Sequence, residues 1–282
     1  MTVLERQVLD QLSRDLDEIE RTTKMIDNYA RMTPEIVEHT QAGVTYKFII
    51  YHHESKAWFG DEKPDGAMAA VKRLDLLRPD DIVFDLGCNS GYHTTWFAKL
   101  VPNGHVHSFD PFPWNTAATK AQAILNGCSN VTTHTVGLGN SQRTITTDVT
   151  GSKTFNAGSG RKNYSMDIEI CTPDHYLRYN PTFLKIDIEG AEYELGDTKL
   201  LPHWSVQRGY VEMHTAFIRA GGGEPAFFLD QLVKNKFEVL DSRHTPMTTF
   251  PEVNETAYYF RRPVQRAPVA ERLKAAVKSV FA

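Results

Sequence analysis

Three stretches of the chain set acidic residues beside glycines at spacings that could hold a charged small molecule. The first is Val83-Phe84-Asp85-Leu86-Gly87-Cys88-Asn89-Ser90-Gly91-Tyr92-His93-Thr94. An apolar run, a glycine turn and a helical start predict a strand, a tight loop and a helix N-terminus. Gly87 and Gly91 allow the backbone to turn sharply and a ligand to approach it closely. The orphan N–H groups of the helix that opens at Tyr92 and Thr94 favour an anionic group. The second stretch is Ser108-Phe109-Asp110-Pro111-Phe112-Pro113, where Asp110 lies 19 residues after Gly91. A Rossmann-type site places an acid there to accept hydrogen bonds from ribose hydroxyls. Pro111 and Phe112 would wall the adjoining base, and Val136 and Gly137 end the next strand on the same edge. The third stretch is Phe183-Leu184-Lys185-Ile186-Asp187-Ile188-Glu189-Gly190-Ala191-Glu192, and a further strand ends Tyr210-Val211-Glu212-Met213-His214.

The ligand class can be argued from the first stretch. A dinucleotide fingerprint is G-x-G-x-x-G, whereas this one is Asp85-x-Gly87-x-Asn89-x-Gly91. An acid ending the strand, aimed at the crevice, would repel a pyrophosphate. It suits a ligand with ammonium and sulfonium groups, as in S-adenosylmethionine (SAM). The cofactor-side expectation is therefore Asp85, Gly87, Asn89, Gly91, Tyr92, Thr94, Asp110, Pro111, Phe112, Val136, Gly137 and Asp187.

Ligands of open α/β sheets bind at the carboxyl ends of the strands. Asp187 and Glu189 should then face the same crevice as Asp85, and Lys185 can point into it by the period of two. If the reaction needs a base, His214 is the first choice, because an unperturbed imidazole titrates near ~6.5. Glu189 is the second, and Asp187 completes the catalytic set. Asp187, Glu189, Glu212 and His214 could also gather a divalent metal such as Mg²⁺ or Mn²⁺. His52 and His53, in an aromatic segment, read as structural.

The elements that must position these groups follow from periodicity. Short apolar runs alternate with helical segments from residue 82 onward: strands at Ile82–Phe84, His105–Phe109, Val131–Val136, Thr182–Ile186 and Arg208–Met213, helices at Tyr92–Leu100, Thr116–Asn126 and Ala191–Leu200. This alternation predicts βαβ units and a Rossmann-like, doubly wound, mostly parallel sheet. Thr144–Val149 and Met166–Ile170 read as an antiparallel excursion, with a loop over 151–162. Pro225–Lys236 reads as a helix, and Phe237–Leu240 with Ala257–Phe260 as a closing antiparallel pair.

Residues 1–78 read as a helical and lid extension of the domain at 79–262. Leu9, Leu12, Leu16 and Ile19 make one stripe of a helix over 3–29, docked on the domain or used as a homo-oligomer seam. Residues 45–60 read as a strand and loop over the site, and Asp65–Leu77 as a helix stopped by Pro79. The tail 263–282 reads as a basic amphipathic helix. Val269, Leu273, Ala276, Val277, Val280 and Phe281 form its apolar face, Arg272, Lys274 and Lys278 the other, with Arg261, Arg262 and Arg266 upstream. It could meet an anionic membrane or a partner.

Bulk properties narrow the class further. With 282 residues, 41% hydrophobic and 23% charged, the chain has an ordinary globular composition. A net charge of -4 lacks the basic footprint of a general nucleic-acid binder. Cys88, Cys128 and Cys171 match no zinc or redox spacing and suit a reducing compartment. With no apolar leader or spanning segment in the sequence, a cytoplasmic protein is expected.

The order D-L-G-x-N-x-G-Y, F-D-P, L-K-I-D-I-E-G-A-E and V-E-M-H, over roughly residues 80 to 240, resembles the FkbM family of SAM-dependent methyltransferases. The third motif is the most family-specific. The resemblance implies methyl transfer from SAM to a hydroxyl of a small molecule, sugar or polyketide-type product. Asp110 stands where the family usually has Glu, and the flanks carry no family motif. An N-methyltransferase, a nicotinamide-dependent oxidoreductase and a non-catalytic SAM-fold interaction protein are the competing expectations.

Overall fold

The computed structural model describes residues 1–23, 31–150, 153–154, 164–250 and 257–263. The N-terminal part holds α1 (Val3–Thr23), β1 (Arg31–Gln41), β2 (Val44–His52), α2 (His53–Phe59) and α3 (Gly66–Arg73). Next come β3 (Ile82–Leu86), α4 (Tyr92–Leu100), β4 (His105–Asp110), α5 (Pro113–Leu125) and β5 (Val131–Thr135). The excursion consists of β6 (Gly137–Leu138), β7 (Arg143–Thr150), β8 (Lys153–Thr154) and β9 (Tyr164–Cys171). The chain continues through a 3-10 helix at Pro173–Tyr179, β10 (Phe183–Ile186), a second 3-10 helix at Glu192–Asp197 and β11 (Arg208–Glu212). It closes with α6 (Thr215–Ala220), α7 (Pro225–Lys234), β12 (Glu238–Leu240), β13 (Pro246–Met247) and β14 (Ala257–Arg261).

The main sheet has eight strands in the order β13-β12-β14-β11-β10-β3-β4-β5. β11, β10, β3, β4 and β5 pair in parallel, and β14 enters antiparallel between β11 and β12. This is the expected Rossmann-like sheet with its closing antiparallel strand. The chain order reverses at β3, with β4 on one side and β10 on the other, so a crevice opens outside their carboxyl ends.

Alternation along the parallel strands divides the core by face. Phe84, Leu86, Leu184, Ile186 and Val211 join one buried cluster with α7. Val83, Phe183 and Tyr210 join the other, under α4 and β2. The same alternation sends Asp85 and Lys185, which are register partners, toward the α4 face.

The N-terminal part shares these cores. Val8, Leu12 and Leu16 are buried with Ile49, Tyr51, Phe112, Trp114, Ile168 and Ile170. The apolar stripe of α1 is thus occupied by its own domain, which removes the oligomer seam from that face. β1, which the sequence reading missed, pairs antiparallel with β2.

Other expectations shift. The helix expected over 65–77 starts at its Asp65 cap and ends by Leu74, five residues before Pro79. The helix expected at Ala191–Leu200 is only the 3-10 segment Glu192–Asp197. Gly190 precedes it and Gly196 lies within it, and the Glu192 carboxylate turns back onto the backbone of Ile188 and Gly190. The three cysteines are free. No helix among the described residues is long and apolar enough to cross a membrane. The loop expected over 151–162 lies outside the described residues except for β8 at Lys153–Thr154, and so does the tail over 264–282 with its basic amphipathic face. Arg261 and Arg262 are described and serve their own domain. Arg261 pairs with Glu238, and Arg262 donates to carbonyls of Leu201, Val206 and Asn235.

Candidate functional site

The crevice outside β3, β4 and β10 holds a cavity of about 370 Å³. Gly87, Asn89, Asp110, Pro111, Phe112, Val136, Gly137, Asp187 and Glu189 all border it. The excursion adds Ile145, Ile168 and Ile170 as a far wall, a contribution sequence reasoning missed. A second cavity, of about 150 Å³, shares Gly87, Asn89, Asp187 and Glu189. It is also bordered by Trp58, Phe59, Tyr92, His93, Lys185, Glu212 and His214.

The glycine turn has a packing cause. Gly87 has φ 81°, and a Cβ there would stand 1.8 Å from the Asp187 carbonyl oxygen. Gly91 has φ 85°, and a Cβ would meet the Thr119 backbone on α5 at 2.8 Å. Neighbouring chain by itself requires glycine at these two positions, and Gly87 also borders both cavities. Gly91 borders neither cavity.

Asp110 is the fixed polar point of the larger cavity. It accepts from the Asn89 N–H at 3.0 Å, the Phe112 N–H at 2.9 Å and the Asn115 amide at 3.0 Å. Burial pushes its carboxyl up to about 6, although these three donors favour the charged form. Two of the donors share Oδ1, so Oδ2 retains capacity for a hydroxyl donor from the cavity. A largely apolar slot that also carries Asp187, Glu189 and Glu194, with the Asp110 carboxylate held rigid by three donors, fits a nucleoside whose ribose hydroxyls donate.

Asp85 departs from expectation. It is fully buried and borders neither cavity. Thr94 donates to it at 2.6 Å, and Lys185 Nζ lies 3.2 Å away. Strand alternation turns it under α4 rather than out into the crevice, so Asp85 and Thr94 support the floor instead of meeting a ligand. Lys185 is equally buried. It donates to the Gly87 carbonyl and lies 3.3 Å from Asp187. Burial opposes its charge, but Asp85 and Asp187 raise its pKa.

The smaller cavity is built on a clamped turn. Glu189 has a left-handed φ of 54° and Gly190 a φ of 107°. The fully buried Glu192 accepts N–H bonds from Ile188 and Gly190 and also holds His214 Nδ1 at 2.9 Å. His214 Nε2 then lies 3.7 Å from both Asp187 Oδ1 and Glu189 Oε2. Burial favours neutral His214, but Glu192, Asp187 and Glu189 prevail and push it up to about 9. The assumption of an unperturbed imidazole base at neutral pH therefore fails, because three carboxylates hold it protonated. Glu212 borders this cavity but falls outside the group of ligand atoms formed by Asp187, Glu189 and His214.

Other neighbours went unassigned in the sequence. His93 Nε2 lies 3.3 Å from Asp65, the capping residue of α3. Burial would lower the His93 pKa, but Asp65 raises it. Phe59 stacks on Tyr92 at 4.4 Å, and Trp58 and Phe59 of α2 border the smaller cavity; the second half of the segment 45–60 is thus a helix where a loop was expected. His52 is buried and accepts from the Ser55 N–H, a structural role, and burial lowers it to about 4.

Comparison with known proteins adds the family. Among solved structures, a methyltransferase FkbM from Methylobacillus flagellatus KT is 17% identical, with a TM-score of 0.45. That match covers 67% of this chain and 46% of the other, so the chain spans about half of that protein's length. A SAM-dependent O-methyltransferase from Thermotoga maritima is 12% identical over 84% of this chain and 80% of its own, with a TM-score of 0.40. TYW2 of M. jannaschii, solved in complex with AdoMet, is 14% identical over 83% and 89%, with a TM-score of 0.39. No curated protein matches the chain. The family model for the methyltransferase FkbM domain matches residues 85–239. That segment is more than half of the chain and contains all four residues shared by the two cavities. The chain belongs to the FkbM family of methyltransferases.

Proposed function

We propose that this protein transfers a methyl group from SAM to a hydroxyl of a small molecule or sugar. The observation that carries this reading is the pair of abutting cavities. One is an apolar slot with Asp110 fixed at its rim; the other is a charged pocket, and Gly87, Asn89, Asp187 and Glu189 stand between them. Asp110 would accept from the ribose, while Phe112, Val136 and Ile170 would enclose the adenine. SAM supplies an electrophilic methyl group whose bonding pair stays on sulfur as the new O–CH₃ bond forms.

The chain's own contribution is position and proton handling. A hydroxyl held in line at the cavity boundary gains from proximity alone. Its proton passes to Glu189, which borders both cavities, because His214 is already protonated. His214 and Asp187 orient the acceptor oxygen. The acidity of the smaller cavity also suits binding of a protonated amine, which would give a proton to Glu189 before its nitrogen lone pair takes the methyl group, and this gives N-methylation as the second reading.

Calorimetric titration with S-adenosylhomocysteine (SAH) in EDTA tests the cofactor half. Binding is expected, and Asp110→Ala should weaken it by about 10–100-fold, the worth of one or two charge-assisted hydrogen bonds. If the wild-type protein does not bind SAH, the reading fails. Competing panels of hydroxylated sugars and amines then decide the acceptor.

A further inference from the structure

We propose that Asp187, Glu189 and His214 form a binding site for one divalent cation of the Mn²⁺ class, with Glu192 as its positioning residue. The three side chains each offer one ligand atom, all within 4.8 Å of one another. The set offers one imidazole nitrogen and two carboxylate oxygens. Such a mixed set suits Mn²⁺ and neighbouring first-row ions, with water or substrate oxygen filling the remaining positions.

Two features outside the carboxylate pair point the same way. His214 is nine-tenths buried, and its Nε2 is aimed at the two carboxylates from 3.7 Å, beyond hydrogen-bond length. A cation between them would bring all three atoms into coordination with small movements. On the far side of the ring, Nδ1 is held at 2.9 Å by Glu192, which is fully buried and fixed by the Ile188 and Gly190 N–H groups. A carboxylate behind a histidine is the arrangement that fixes the ring and its tautomer for a metal on the other nitrogen. The three groups also border the smaller cavity, which leaves an open face for an acceptor oxygen.

The inference rests on the proposed function only for its purpose. An ion there would lower the pKa of an acceptor hydroxyl beside it. The hydroxyl proton would then pass to Glu212, which borders the cavity outside the cluster, and Glu189 would serve as a ligand instead of a base. The O–CH₃ bond forms and the S–CH₃ pair leaves on sulfur as before.

The test is titration of EDTA-stripped full-length protein with Mn²⁺, followed by the paramagnetic resonance of free Mn²⁺ and by calorimetry. One bound ion per chain is expected. Glu189→Gln and His214→Gln should weaken it by more than the roughly 10–100-fold typical of outer-shell changes, and Glu192→Gln by about that amount. Glu212→Gln should bind Mn²⁺ as the wild type does. SAH binding in EDTA, measured on every variant, reports that the fold and the cofactor cavity survive. No ion bound at millimolar Mn²⁺ by a protein that binds SAH overturns the metal site and leaves the methyltransferase reading standing. Binding unchanged in both Glu189→Gln and His214→Gln places the ion elsewhere and also overturns it. Mn²⁺ bound as expected without SAH binding would instead remove the reading of the cofactor cavity.

Discussion

The two cavities share Gly87, Asn89, Asp187 and Glu189, yet they are made of different materials. The larger is walled by Phe112, Val136, Leu138, Ile168 and Ile170, and its carboxylate at Asp110 is held by three donors. The smaller is lined by Lys185, Asp187, Glu189, Glu212 and His214 beneath the aromatic residues of α2. A largely apolar slot whose Asp110 carboxylate is held by three donors recognises shape and a hydrogen-bond pattern. A charged pocket recognises ionisation and handles protons. Cofactor binding and turnover should therefore be separable by mutation, although the cavities touch.

The largest expected effect breaks turnover alone. Glu189→Gln removes either the proton acceptor or a ligand that acidifies the acceptor. With the best acceptor from the sugar panel, kcat should fall by about 10²–10⁴-fold, while the SAH Kd changes by no more than a few-fold. Equal losses in affinity and in turnover would mean that the two cavities form one binding unit.

The next effect falls on the buried charges behind the smaller cavity. Lys185 is buried between Asp85 and Asp187 and ties the Gly87 carbonyl. Lys185→Met leaves Asp85 charged and unpaired in the interior, which costs about 3–5 kcal/mol. Urea unfolding reads this directly. Adding Asp85→Leu should recover part of the loss, because both buried charges are then gone. No recovery would mean that Lys185 acts mainly through Gly87 and Asp187.

The contrast between the cavities also governs what the sequence reveals. The larger cavity is local in sequence. Strand, glycine turn and helix fall within Val83–Leu100, and Asp110 ends the next strand, so the place of Asp110, Pro111, Phe112, Val136 and Gly137 along one cavity edge was legible. The charged side depends on register and on distant chain. Glu192 lies in the same motif as Glu189, but its role depends on a 3-10 turn that a helical period does not announce. Asp85 was legible as the end of a strand, not as a side chain turned under α4 by pairing with Lys185. β1, a strand of mixed polar and apolar residues with Pro34 inside it, becomes recognisable only through its pairing with β2. His214 was legible as a titratable group at the right edge. Its charge was not, because three carboxylates from one turn of chain set it.

The smallest effect is a pH dependence confined to the larger cavity. Burial raises Asp110 from 3.8 to about 6. A folded-state pKa above the unfolded value stabilises the free protein at low pH, and that stability is lost as pH rises through about 6. SAH binding should run the other way, because ribose hydroxyls donate best to the ionised carboxylate. Below about pH 6 the SAH affinity should weaken, approaching about tenfold per pH unit, while above it the affinity should be flat. Asp110→Asn keeps an oxygen at the position but cannot ionise, so its weaker binding should lose this dependence. Titrations in EDTA keep metal binding at the smaller cavity out of the measurement. An acid limb that persists in Asp110→Asn would belong to some other group, and the charged pocket would then reach into cofactor binding after all.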